Sequence, residues 1–208
     1  LTNDIGIKEI ISNDSSQIEL ARINYVVWSD VFLCPECADE VIFFEAAVEL
    51  GKGNVKKEFN CPHCKSTLSK KAMQWAYNTS YDRTIGKLIK QVKQVPVIIN
   101  YSIGKRRFEK KPDAFDLSLI EKIENFTIPY WYPSVRMREG GETRRNDPAG
   151  ITHVHHFYTK RNLWALSAIW HRLENKMKWA ATSFLSRNLT KCNRFVVNRH
   201  NPNGRING

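Results

Sequence analysis

Two Cys-x-x-Cys pairs constrain this chain more than any other feature of its sequence. The pairs are Cys34-Pro-Glu-Cys37 and Cys61-Pro-His-Cys64. Each turn can aim two sulfurs at one ion, and two turns supply the four tetrahedral ligands of a structural Zn²⁺ site. Because four thiolates leave no position for water or substrate, we expect this zinc to hold structure and not to catalyse. Disulfides are the alternative, but neither an export signal nor a high cysteine content supports them.

The segment between the pairs predicts a zinc ribbon. Residues 41–44 are typical of a strand, residues 51–54 of a turn, and residues 55–59 of a returning strand. His63 lies between two ligands and is interpreted as a solvated residue, because the thiolates already complete the shell. Cys192 stands alone and is assigned no role.

The rest of the chain predicts an α+β fold, with the four-cysteine zinc ribbon inserted in or attached to a mixed α/β domain. Apolar spacing predicts a helix from Tyr81 to Val92, ended by Pro96. A buried strand over 97–101 then turns at Ile103-Gly104 into a second strand. We divide the chain into an N-terminal helical segment (1–25), the zinc ribbon (26–76), an α/β segment with a basic hairpin (77–128), an aromatic and arginine-rich loop (129–150) and a helical segment (151–208).

Two further helices are predicted from capping residues. Pro112-Asp113 introduces the first, whose inner face we expect to carry Leu117, Ile120, Ile123 and Phe126. Thr159 is a good N-cap for the second, which we expect to run to about Ala180.

The formal charge of the chain is +11, from 32 Lys and Arg against 21 Asp and Glu. Such an excess favours a polyanionic partner, because each phosphate that a cation neutralises releases counterions. The alternative is a basic but inert surface, or a face that contacts an acidic neighbour. Composition and position select these candidate DNA-binding residues: Lys105, Arg106, Arg107, Tyr130, Trp131, Arg136, Arg138, Arg144 and Arg145.

The aromatic residues of this set are suited to stacking on bases and the cationic residues to contacting phosphates. In the alternative interpretation the aromatics pin the loop to its own core and the arginines are solvated.

Three histidines, His153, His155 and His156, suggest a metal or acid–base role. In an extended segment His153 and His155 share one face while His156 points away, so a three-ligand geometry is not expected. No acidic or cysteine partner lies nearby in sequence. We therefore favour polar packing, or contact with another domain, and assign no catalytic residue.

Three segments resemble a bacterial family of zinc-ribbon-containing DNA methylases. They are residues 28–37 (WSDVFLCPEC), 95–101 (VPVIINY) and 152–163 (THVHHFYTKRNL). The family uses S-adenosylmethionine to methylate the exocyclic amine of adenine (N6) or cytosine (N4). The resemblance runs from about Tyr25 to about Trp170.

The resemblance also implies what this chain lacks. The family's Phe-x-Gly-x-Gly turn for the cofactor and its Asp-Pro-Pro-Tyr/Phe tetrapeptide for the target amine do not occur here; Asp147-Pro148-Ala149-Gly150 is the nearest string. Because the chain begins without methionine, we expect a piece of a longer methylase, inactive alone, with S-adenosylmethionine bound only by the parent enzyme.

The expected partners are double-stranded DNA and the flanking methylase catalytic domain. The alternative is a scaffold that packs on that domain or forms a homodimer without touching DNA. The sequence has no apolar run long enough to span a membrane, and we expect a cytoplasmic protein.

Overall fold

A computed structural model describes residues 7–10, 19–49 and 54–173 of the chain. It is mixed strand and helix, as predicted. The strands are β1 (Ile7–Ile10), β2 (Glu19–Leu33), β3 (Glu40–Ile42), β4 (Glu58–Asn60), β5 (Thr67–Ser69), β6 (Gln74–Trp75), β7 (Tyr77–Asp82), β8 (Lys87–Val92), β9 (Gln94–Ile103) and β10 (Arg106–Lys110). The helices are α1 (Phe43–Ala47), α2 (Ala114–Asn125), α3 (Gly141–Arg144) and α4 (Lys160–Arg172).

The long strand β2 organises the main sheet. The sheet runs β1-β2-β9-β10, and the C-terminal end of β2 also pairs with β3 and β6. Alternate side chains of β2, those of Val27, Ser29 and Val31, are buried, as the period of a strand requires. The prediction of a helical segment over residues 1–25 is therefore wrong where the structure describes it, because β1 and the start of β2 are extended. Since β2 pairs with β9, segments 26–76 and 77–128 share one sheet.

The hairpin of β9 and β10 confirms the predicted buried strand and its turn. Gly104 lies between the strands with a φ of 56°, a left-handed conformation that glycine adopts without steric cost. Pro96 does not end a helix but lies within β9, opposite Trp28. It is tolerated there because the β2–β9 register shifts at that point and the pairing of β10 with β9 ends at Ile99.

Residues 81–92 form a hairpin and not the predicted helix. β7 and β8 pair in register from Tyr77 opposite Val92 to Asp82 opposite Lys87. The turn is made by Gly86, with a φ of 67°, and by Asp82, whose Oδ1 accepts the backbone N–H of Thr84 at 2.9 Å. Leu88, an apolar residue of the predicted helix, is 72% exposed. The apolar residues of this segment are therefore spaced as in a helix, although the segment folds as two paired strands.

Both predicted helix starts are confirmed. Asp113 caps α2 in a capping box with Asp116, and Thr159 caps α4. The predicted inner face of α2 is partly wrong, because Leu117 and Phe126 are exposed. Phe126 instead stacks on Trp164 of α4, with ring centroids 5.1 Å apart.

Helix α4 ends at Arg172, and the predicted continuation over residues 174–180 lies outside the described residues. Within the described ranges, no helix combines the length and the apolar character needed to cross a membrane.

Candidate metal centre and cationic surface

Each Cys-x-x-Cys turn lies at the tip of a hairpin. The first joins β2 to β3, and the second joins β4 to β5. In both, the residue after the second cysteine has a left-handed backbone and donates its N–H to the carbonyl of the first cysteine, at 2.9 and 3.1 Å. These residues are Ala38 (φ 61°) and Lys65 (φ 65°). The two turns therefore have the same backbone geometry, although only their cysteines and prolines match in sequence.

The four sulfurs converge on one point. The Sγ atoms of Cys34 and Cys64 are 3.7 Å apart, and those of Cys37 and Cys61 are 3.8 Å apart. A disulfide needs about 2.05 Å, so none of these distances is a covalent bond. Four sulfurs bound tetrahedrally at about 2.3 Å from one zinc ion would be about 3.8 Å apart. The observed spacing therefore fits a metal ion held by all four thiolates.

The cluster is built into a hydrophobic core. Cys34 and Cys61 are 2% and 0% exposed. Their neighbours in this core are Phe32, Val41, Ala47, Phe59, Leu68 and Met73. Because β4 and β5 are only three residues each and pair only with each other, this small core holds the second hairpin against β2, and an ion bound by the four sulfurs would join the two hairpins further.

Hydrogen bonding and burial spread the pKa values of the thiols. The backbone N–H of Cys37 is the main cause that lowers the pKa of Cys34 to about 6, and the hydroxyl of Ser66, 3.0 Å from the Cys64 sulfur, lowers the pKa of that thiol. The backbone N–H of Asp39 favours the Cys37 thiolate, but burial and the neighbouring sulfurs outweigh it and raise its pKa to about 12. Neighbouring thiolates thus oppose one another, and a divalent cation relieves that repulsion.

The strand predicted over residues 41–44 is only partly correct, because β3 ends at Ile42 and Phe43 begins α1. Most of the predicted turn at 51–54 lies outside the described residues. Cys192 also lies outside them. His63 is exposed, its Nε2 atom lies 3.2 Å from the Glu40 carbonyl oxygen, and it is not among the four clustered ligands. The three-residue strand β4 occupies the end of the predicted returning strand.

The basic hairpin presents its cations to solvent. Lys105, Arg106 and Arg107 are all exposed at the turn and start of β10. Successive side chains of a strand point to opposite faces, so Arg106 and Arg107 place a guanidinium on each side of the hairpin. β10 is the last strand of the described sheet, which leaves this edge open to a partner.

The two aromatic candidates differ in position. Trp131 is 67% exposed and is available for stacking on a partner. Tyr130 is half-buried, with its ring centroid 4.9 Å from that of His171 at the end of α4. Tyr130 therefore pins the loop to the fold, which is the alternative interpretation given to these aromatics.

The four arginine candidates also divide. Arg136, Arg138 and Arg145 are exposed. Arg144 is half-buried, forms an ion pair with Asp147 at 3.1 Å and donates to the Met137 carbonyl at 3.3 Å. Arg144 thus stabilises its own loop.

The loop is anchored on the β7–β8 hairpin. The Tyr132 hydroxyl lies 2.7 Å from that of Thr84, and the Tyr77 hydroxyl donates to the Pro148 carbonyl at 3.0 Å. Gly150 has a φ of 75°, and a Cβ there would lie 2.0 Å from the Lys90 carbonyl oxygen, so glycine is required.

A second cluster of potential metal ligands was missed by sequence reasoning. The Nε2 atoms of His155 and His156 lie 2.8 and 2.9 Å from Oδ2 of Asp82. The expectation that His156 points away is wrong, because Val154–Phe157 form a 3-10 turn that brings both rings to one side. The acidic partner exists, but it lies 73 residues earlier in the chain. The only sequence signal was the run of histidines itself.

Burial and hydrogen bonding act in opposite directions on this cluster. Burial alone would raise the pKa of Asp82, but the bonds from His156 and His155 outweigh it and hold the pKa well below its usual range. Burial lowers the pKa of His156. The cluster therefore contains an ionised carboxylate beside a neutral His156 at neutral pH.

Comparison of the chain with models of protein families, with curated proteins and with solved structures finds no match.

Proposed function

We propose that this chain is a zinc-organised module that grips double-stranded DNA within a bacterial DNA amino-methyltransferase. The observation that carries the proposal is the set of exposed cations on the open edge of the main sheet, at Lys105, Arg106 and Arg107. With a net charge of +11, such a surface attracts a polyanion, and each phosphate contact releases counterions.

Zinc is the metal that the cysteine cluster fits best. Thiolates are soft ligands, and a tetrahedral set of four of them selects zinc or an iron–sulfur centre. The sulfur spacing of 3.7 to 3.8 Å supports a single ion. Bound there, zinc would contribute folding free energy and leave no coordination position for substrate.

The methylase part of this proposal depends on the resemblance of the three sequence segments, all of which lie in strands, turns or helices of the described structure. Segments 28–37 and 95–101 are distant in sequence but are neighbours in the sheet, where Trp28 lies opposite Pro96 and Ser29 opposite Val95. Segment 152–163 contains two features: the 3-10 turn whose histidines bond to Asp82, and Thr159, the N-cap of α4. Each segment thus belongs to the main sheet or to the elements around the loop, which together position the exposed cations.

A gripping module is what amino-group methylation requires besides the catalytic fold. The target base has to leave the stack and enter a pocket, and unstacking costs a few kcal/mol. We propose that phosphate contacts by the hairpin and by Arg136, Arg138 and Arg145 hold the duplex, with Trp131 stacking or wedging. The transfer itself would belong to the parent enzyme, which binds S-adenosylmethionine.

The test is binding of the zinc-loaded chain to labelled duplex DNA by fluorescence anisotropy. We expect the double variant Arg106→Ala/Arg107→Ala to weaken binding to every duplex sequence by about tenfold or more. The slope of affinity against salt should fall by about 1 for each phosphate that the variant no longer binds. Arg136→Ala/Arg138→Ala should act alike.

The matched control is Lys56→Ala/Lys57→Ala, which removes the same charge from exposed positions between the cysteine pairs. It should leave affinity within about twofold if the contacts are local. An equal loss of affinity in all three double variants would mean that only net charge matters, and would contradict the assigned surface.

A scaffold is the second candidate function, and one observation favours it. Phe115, Leu117 and Ile169 are exposed apolar side chains on α2 and α4, helices that contact each other. Such side chains suit packing against a catalytic domain or a second copy. Concentration-dependent dimerisation without DNA binding, measured by analytical ultracentrifugation, would favour this function over the first.

A further inference from the structure

We propose that Asp82, His155 and His156 form a second metal site, which takes a first-row divalent transition metal such as Zn²⁺. This site is separate from the cysteine cluster, and it does not depend on the proposed function. One ligand atom from each of the three residues lies within 4.8 Å of the other two.

The geometry of the cluster is that of converging ligands. The Nε2 atoms of both rings approach the same carboxylate oxygen, Oδ2 of Asp82, at 2.8 and 2.9 Å. The side chains of all three residues are at least nine-tenths buried, at 8% exposed or less. The polypeptide thus fixes two imidazoles and one carboxylate around a common point inside the protein.

The ligand set matches the chemistry of such ions. Two histidines and one carboxylate hold zinc in hydrolytic sites and ferrous iron in oxygenases, in both cases leaving positions open for water or substrate. With bonds of about 2.1 Å, tetrahedral ligands lie about 3.4 Å apart. The observed separations need to widen by only about half an ångström, a change that rotation of the side chains supplies.

The hydrogen bonds around the three side chains determine which protons and contacts must move when an ion binds. Asp82 keeps its orientation, because Oδ1 accepts the N–H of Thr84 at 2.9 Å and leaves Oδ2 for the ion. A neutral imidazole that binds a metal through Nε2 carries its proton on Nδ1. Nδ1 of His155 has no hydrogen-bond partner and is free to carry the proton, so the only bond given up at this residue is the one from Nε2 to Asp82, which the metal replaces. At His156 the long contact from the Thr152 N–H to Nδ1, 3.3 Å, has to open.

The experiment is a cobalt titration of the full chain, because Co²⁺ replaces zinc and reports its ligands. We expect a first equivalent with intense thiolate-to-metal charge-transfer absorption, from the cysteine cluster. A second equivalent should then add visible d–d bands without further charge transfer, as nitrogen and oxygen ligands require. Saturation at one equivalent, or a second equivalent that adds thiolate charge transfer, would overturn the proposal.

Zinc content gives an independent readout. After loading with zinc and desalting, the wild-type chain should retain two zinc ions per chain, and His155→Gln should retain one. His153→Gln is the matched control, since the His153 ring lies 5.8 Å from that of His155 but is not among the three ligands. That variant should retain both ions. One zinc ion per chain in all three proteins would mean that the cluster is a hydrogen-bonded staple only.

Discussion

The cysteine cluster and the Asp82–His155–His156 cluster both bring potential metal ligands to one point, but they are assembled differently. Each half of the cysteine cluster is a local turn, so four consecutive residues are enough to predict its metal-binding role. The histidine cluster depends on a carboxylate 73 residues away and on the pairing of β7 with β8. Ligands that share a turn are predictable, whereas ligands that meet through tertiary structure are not.

The two clusters also differ in what surrounds them. The cysteines are packed among the core side chains of two short hairpins, where a bound ion would itself be a large part of the core. The histidine cluster lies between a hairpin and a loop that have further contacts of their own, through Tyr132, Pro148 and Gly150. We therefore expect loss of the cysteine cluster to unfold the two hairpins around it. Loss of the histidine cluster should only loosen the contact between the β7–β8 hairpin and the loop.

The largest effect is expected from Cys61→Ser. This change removes a fully buried ligand, and structural zinc in small domains contributes about 10–16 kcal/mol of apparent folding free energy. The variant should lose its cooperative thermal transition by circular dichroism, and a chelator should do the same to the wild type. His63→Ala, in the same turn, should melt like the wild type. A cooperative transition that survives both treatments would show that the core does not need the ion.

An intermediate effect is expected from Asp82→Asn. The carboxylate accepts two buried imidazole N–H groups, and hydrogen bonds to a charged group contribute about 1.5–3 kcal/mol each. We expect a loss of about 2–3 kcal/mol in urea unfolding, with faster amide exchange in β7 and β8 and an unchanged cysteine cluster.

Glu121→Gln on the exposed face of α2 removes the same charge and should be neutral within about 0.5 kcal/mol. If Asp82→Asn has no larger effect than this control, the cluster does not stabilise the hairpin.

The smallest effect tests the likeness of the two cysteine turns. Ala38 and Lys65 have left-handed backbones, where a β-branched side chain adds its own clash to the Cβ clash that Ala and Lys already have, at a further cost of about 1–2 kcal/mol. Ala38→Val and Lys65→Val should therefore each lower stability by about that amount, while Glu36→Val, at a position without a positive φ, should cost less than about 0.5 kcal/mol. Unequal destabilisation at the two turns, measured by urea unfolding of the zinc-loaded chain, would mean that they do not share one geometry.

The features that sequence predicted correctly are local. The cysteine spacing, the caps at Asp113 and Thr159, and the turn at Gly104 each depend on residues within a few positions of one another. The physical reason is that turn and cap chemistry is decided by short-range hydrogen bonds and by φ preferences.

The features that sequence missed depend on partners far away. The residues from Tyr81 to Val92 have apolar spacing compatible with a helix, but they form a hairpin whose turn holds Asp82 against the histidines. Nothing near His155 indicates that carboxylate. Similarly, Arg144 and Arg145 look equivalent in sequence, and only the fold shows that Asp147 pairs with Arg144.

If exposed cations on a metal-held fold contact DNA, as we propose, the zinc-loaded chain must bind duplex DNA in a salt-dependent way. We would measure the anisotropy of labelled duplex DNA titrated with the zinc-loaded wild-type chain over a series of salt concentrations. We expect micromolar or tighter binding at low salt that weakens steeply as salt rises, as contacts to several phosphates require. No binding at low salt, with zinc bound and the fold intact, would contradict it and leave the scaffold function.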